Sequence, residues 1–113
     1  MSAARYNLII DQGSDFALEF TVKESGSAKN LTGYAARAQI RPTAASSTLT
    51  ATFTCTIETP TNGVVKAALA SATTAALTPG RYVYDLEIHT TGGTEIVTRL
   101  LQGDVTVSAE VTR

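Results

Sequence analysis

A single histidine, a single cysteine and two short acidic groupings are the residues of this 113-residue chain whose chemistry could go beyond packing. His89 could act as a general base or a metal ligand, but a triad or a histidine-based metal cluster needs partners that its spacing does not supply. It stands beside a Thr-Thr-Gly-Gly turn and reads as an exposed loop histidine. Cys55 lies in Phe53-Thr54-Cys55-Thr56-Ile57, on the same side of an alternating run as two large apolar residues. It reads as a small buried hydrophobe rather than a nucleophile. Asp11-Gln12-Gly13-Ser14-Asp15 has the acidity of a calcium loop without its ligand number or its terminal bidentate glutamate. A turn with capping carboxylates is the better reading. Asp85 and Glu87 could form an acid pair for glycoside hydrolysis, yet both fall on an outward strand face with Arg99 expected opposite, as on a solvated face. No glycine-rich loop leads from a strand into a helix, so nothing predicts a phosphate cradle. No catalytic residue, metal or cofactor is expected.

The segments that must position these groups alternate between apolar and polar residues with period two, the signature of half-buried strands. Leu8 and Ile10 share one face of a first strand, Tyr6 to Asp11, and a turn follows in which Gly13 suits a positive φ. Phe16, Leu18, Phe20 and Val22 then point one way while Glu19, Thr21 and Lys23 point the other. After a polar tip, Ala36, Ala38 and Ile40 oppose Arg37, Gln39 and Arg41, and Pro42 ends the run. Leu49, Ala51, Phe53, Cys55 and Ile57 alternate with Thr50, Thr52, Thr54 and Thr56. Asn62-Gly63 predicts a type I′ hairpin into a strand beginning at Val64. Alternation then breaks from Ala72 to Leu77, where one helical turn capped by Ser71 is expected before Pro79-Gly80.

Three further runs, separated by Gly92-Gly93 and Gly103, predict an antiparallel meander. Matching apolar faces sets Ile88 opposite Ile96, Tyr84 opposite Leu100 and Asp85 opposite Arg99. The whole reads as an all-β, immunoglobulin-like sandwich of about eight antiparallel strands with one short helical turn, forming one domain over residues 1–113. Tyr82 or Tyr84 is expected to bond its hydroxyl back to the corner that precedes it.

Bulk properties narrow the function classes. A hydrophobic fraction of 43% against 17% charged residues is that of a folded chain, and a formal charge of −1 offers no footprint for nucleic acid or an anionic membrane. The N-terminal residues lack an apolar signal region and no run reaches membrane-spanning length, so assembly in the cytoplasm is expected. There is no tryptophan among the seven aromatics, and only Tyr6 and Tyr34 are left outside the expected core and corner. That composition argues against an aromatic platform for sugars.

The run Arg81-Tyr82-Val83-Tyr84-Asp85-Leu86-Glu87-Ile88 and the stretch from Thr98-Arg99-Leu100-Leu101-Gln102-Gly103 to Arg113 are similar to those of a family of small tailed-bacteriophage proteins. So are the Gln12-Gly13 turn followed by Phe16, the motif Asn30-Leu31-Thr32-Gly33-Tyr34, and the Arg37-x-Gln39-Ile40-Arg41 strand. The resemblance covers the chain from about Tyr6 to Arg113. It implies a noncatalytic virion structural protein, assembled in the host cytoplasm and present in multiple copies set by the symmetry of a ring or shell. The implied partners are other virion proteins: portal, adaptor or tail proteins at the head–tail junction, neck or tail apparatus, or capsid proteins if it is a decoration protein. Neither nucleic acid nor membrane is an expected partner. A host-surface or glycan-binding module is the alternative from another class, and an enzyme the most remote. The Thr50, Thr52, Thr54, Thr56 face is the candidate protein-contact surface.

Overall fold

Burying every second side chain of an extended segment needs a second layer, and the chain supplies it by folding into two unequal sheets. The computed structural model describes residues 4–24 and 26–112. In chain order its strands are β1 (Ala4–Arg5), β2 (Leu8–Asp11), β3 (Phe16–Thr21), β4 (Lys23–Glu24), β5 (Ser27–Ala28), β6 (Tyr34–Arg41), β7 (Ala51–Thr52), β8 (Thr54–Thr59), β9 (Val64–Leu69), β10 (Gly80–Thr90) and β11 (Val97–Ser108). Helix α1 covers Ser71–Ala75, and a 3-10 turn covers Pro60–Asn62. The larger sheet runs β1-β11-β10-β6-β7 with β2 also on β11, the smaller runs β3-β9-β8, and β4 pairs with β5 as a separate ribbon. The expected all-β, immunoglobulin-like sandwich is therefore what forms.

Between the layers, Leu8, Ile10, Ile40, Leu86, Ile88 and Val105 of the larger sheet meet Val65, Ala67 and Leu69 of the smaller. Phe53 joins them, with its ring 6.1 Å from Phe16 and 6.3 Å, edge-on, from Tyr84. It is also where the Thr-rich run changes sheets: Phe53 N–H still bonds Ala38 of β6 (3.0 Å), whereas Thr54 already pairs with β9. Such a sheet-switching strand closes one side of a sandwich.

Several expectations are corrected by long-range packing. The strands are not all antiparallel, since β1 and β2 run parallel to β11 in one continuous register, Ala4 beside Leu101 and Leu8 beside Val105. Gly103 makes no turn. It lies inside β11, where a Cβ would stand 2.4 Å from the Tyr6 carbonyl oxygen, so glycine is what admits the N-terminal strand. The expected meander is thus a hairpin of two long strands. Its register also differs: Ile88 pairs with Thr98, two residues beyond the expected Ile96, and a bulge at Leu100 adds a third residue of offset, so that Tyr84 pairs with Gly103 and Asp85 with Gln102. Asn62-Gly63 does not form a two-residue type I′ turn. Pro60 starts a 3-10 turn that ends on Gly63 (φ 69°), against which the Val22 and Lys29 carbonyls pack too closely for a side chain. Leu49, expected inside, is exposed, and His89 is half-buried within β10 rather than on a loop.

The corner expectation is met by Tyr82, whose hydroxyl donates to the Thr78 carbonyl (2.5 Å). Tyr84 instead reaches across to the Tyr6 carbonyl (2.6 Å), tying β10 to the N-terminal strand. Helix α1 begins after Ala70, not on a Ser71 cap; the Asp15 carboxylate accepts the Ser71 N–H (2.7 Å) from across the fold. The turn at Asp11 to Asp15 is thereby a structural clamp. Its Gln12 side chain donates to Leu77 and accepts from Glu110, and the buried Thr74 hydroxyl accepts from Gly13 N–H while donating to the Ser14 carbonyl.

Candidate functional site

Charge is concentrated on the outer face of the larger sheet, and the register explains how. In β6 the residues Arg37, Gln39 and Arg41 face outward; in β10 the outward set is Val83, Asp85 and Glu87. Pairing places Arg41 beside Val83, Gln39 beside Asp85 and Arg37 beside Glu87. On the other side of β10, the same three residues stand beside Asp104, Gln102 and Arg99. The bulge at Leu100 is what makes this possible, because it shifts the alternation so that Arg99 and Gln102, three positions apart, both reach the outer face. The result is a grid three strands wide, with Arg5 of β1 at its border.

Most charges in the grid have a partner. Arg37 Nε donates to Glu87 Oε1 at 2.7 Å, and its other arm lies 3.8 Å from Glu95. Arg99 Nε stands 3.4 Å from Asp85 Oδ2, diagonally across the ladder, and also bonds Gln102. Arg5 pairs with Asp104 at 3.3 Å. Arg41 is the exception: it bonds the Gln39 side chain and the Ser46 and Ser47 carbonyls, holding the polar loop after Pro42 against the sheet. Burial raises the Asp85 carboxyl above the ordinary carboxylate range, with Arg99 pulling it back and Glu87 pushing it further up. The Glu87 hydrogen bond raises the Arg37 guanidinium in the same direction as its charge demands.

These side chains border an open depression of about 690 Å³. Asp85 and Glu87 are each engaged by an arginine, and among the described residues no serine, cysteine or histidine lines the depression. His89 is outside it, with Nδ1 3.7 Å from Glu95. Cys55 is on the far layer, half-buried, with its thiol pushed up to about 11 by burial. Among the described residues no group of three metal-ligating side chains comes together.

The four threonines expected as a contact face are not brought together on one ladder. Thr50 is half-buried outside the strands, with its N–H on the Ile40 carbonyl; Thr52 pairs with Gln39 at the border of the larger sheet. Thr54 and Thr56 belong to the smaller sheet, beside Ala68 and Lys66. The pair Thr54 and Ala68, with Ala17, lies along a shallow apolar dip on that sheet's outer face. Of the aromatics left over by the sequence reading, Tyr6 is 52% exposed, whereas Tyr34 is half-buried under the Lys29 ammonium, 5.4 Å from its ring centroid. The two do not form a platform with any other aromatic ring.

No protein-family model and no curated protein matches the chain. Among solved structures it is similar to the N-terminal domain of phage TP901-1 ORF48, at 14% identity over 89% of this chain and 83% of that one, with a TM-score of 0.60. That likeness is one of fold. Looser matches are to a chain from work on T cell activation by toxic shock syndrome toxin-1 (15% identity, 92% of both chains, TM-score 0.49) and to 24% of a family 123 glycoside hydrolase from Clostridium perfringens (12% identity, all of this chain, TM-score 0.41).

Proposed function

We propose that this chain is a noncatalytic structural module of a tailed-phage virion, docking on other virion proteins through the charged outer face of its larger sheet. The observation that carries the reading is the fold shared with a phage domain over 89% of the chain. The paired, arginine-rich grid supports the docking surface, since complementary charges steer encounter and fix register. The preferred location is the head–tail junction, the neck or the tail apparatus, where small sandwiches project from a ring; capsid decoration is the alternative. Portal, adaptor or tail proteins are the proposed partners, and the module occurs in multiple copies.

The test is add-back of purified chain to phage particles assembled without it. Binding should weaken as ionic strength rises, and reversing Arg37 and Arg99 to glutamate should reduce it by about tenfold or more. Both side chains are roughly half-exposed, but each reversal sets a carboxylate against Glu87 or Asp85, so a thermal melt must show that the doubly reversed protein is folded before its binding is read. Binding indifferent to salt and to both reversals would move the docking surface elsewhere; no binding at all would remove the virion role.

A further inference from the structure

Strand β3 borders the smaller sheet, and its ladder runs only to β9. Constant-type immunoglobulin sandwiches seat the first strand beside the second in a four-stranded sheet. Here β1 and β2 go to β11 instead, and among the described residues no strand lies on the second edge of β3. The side chains show the consequence. Phe16, Leu18 and Phe20 face inward yet stay half-buried, while Val65, Ala67 and Leu69 on adjacent β9 are buried. The edge also lacks the usual protections. β3 carries no proline, no lysine and no bulge, and its one charge is Glu19. Val22 N–H points toward β9, bonding the Gly63 carbonyl at 2.7 Å. Alternation therefore aims the amides of Ala17, Glu19 and Thr21 at the open side.

We propose that β3 pairs with β3 of a second copy of this chain, antiparallel about Leu18, so that two three-stranded sheets merge across a two-fold axis. The strand is self-complementary in this register. Leu18 meets Leu18, Phe16 meets Phe20, and Glu19 meets Ala17, so inward faces match inward faces throughout. A slip of one residue would set inward side chains against outward ones. No carboxylate faces another directly, and Lys66, beside Glu19 on β9, offsets its charge within each copy. The contact is isologous and closes at two copies, as a two-fold interface requires. It concerns the isolated chain and stands apart from the virion reading, so either can fail without the other.

Sedimentation equilibrium of the intact chain at low ionic strength tests the register. The wild-type chain should show a reversible monomer–dimer equilibrium. Ala17→Lys, which places an ammonium opposite Glu19 of the second copy twice per dimer, should tighten it several-fold; Ala17→Glu should loosen it several-fold. Adding Glu19→Lys to Ala17→Glu should restore it. Ala17 is exposed, so neither substitution disturbs the fold, which thermal melts would verify. A chain that stays monomeric at every concentration overturns the proposal. So does a dimer on which both Ala17 substitutions act in the same direction or not at all.

Discussion

Thr74 holds the turn after β2 against helix α1 through one fully buried hydroxyl. Thr74→Val preserves the shape but leaves the Gly13 N–H and the Ser14 carbonyl without that partner. The expected loss is about 1–3 kcal/mol, read as a lower urea midpoint at unchanged slope. Nothing in the sequence marked this residue, because a threonine in an Ala- and Thr-rich turn looks the same whether its hydroxyl meets water or backbone. Tyr82 was legible for the opposite reason: the corner is a local motif four residues long. Two other side chains set an alkaline limit. Burial pushes the Tyr84 phenol from 10.0 up to about 12 and the Cys55 thiol from 9.0 up to about 11. In both cases the unfolded chain loses its proton first, so folding stability is full below the unfolded values and falls as pH rises through this window. Urea midpoints should therefore decline above about pH 9, with Cys55→Ala flattening the lower part of the decline and Tyr84→Phe the upper. At neutral pH the protonated Cys55 should react slowly with thiol reagents.

Strand β11 shows what alternation can and cannot predict. The period-two pattern located nearly every strand, since it depends only on which side chains must leave water. Pairing depends on residues far away in the chain, and two features of β11 show why alternation alone does not fix it. A glycine between two apolar runs usually marks a turn, whereas Gly103 makes room for Tyr6. The bulge that moves Arg99 onto Asp85 diagonally was signalled only by the Leu100-Leu101 doublet, which breaks the alternation, and both leucines do pack against the core. Gly103→Ala tests this account. The added methyl must displace the N-terminal strand, costing about 1–3 kcal/mol in a denaturant melt. Amide exchange should speed up in β1 and β2 more than in β9, which Gly103 does not touch. Equal effects on all strands would mean that the glycine serves the fold in general rather than this one approach.

Two layers of unequal size leave the molecule with two distinct outer surfaces. Over the larger sheet lies the arginine–carboxylate grid; over the smaller lies a face of alanine and threonine crossed by Glu19, Lys66 and Glu58, bordered by the open edge of β3. Part of the grid was visible in advance, as the outward placement of Arg37, Gln39 and Arg41 and of Asp85 and Glu87. Its convergence was not, because only the pairing of β6 with β10 brings the two sets side by side. The threonine surface was legible as a pattern but misjudged as a unit, since Phe53 carries the chain from one sheet to the other between Thr52 and Thr54. Quantitative mass spectrometry of purified phage particles tests the proposed role most directly. The chain should be a stoichiometric component, at a few to about a dozen copies for a neck or tail ring and far more for capsid decoration. Its absence from intact, infectious particles made by cells that express it would contradict the account.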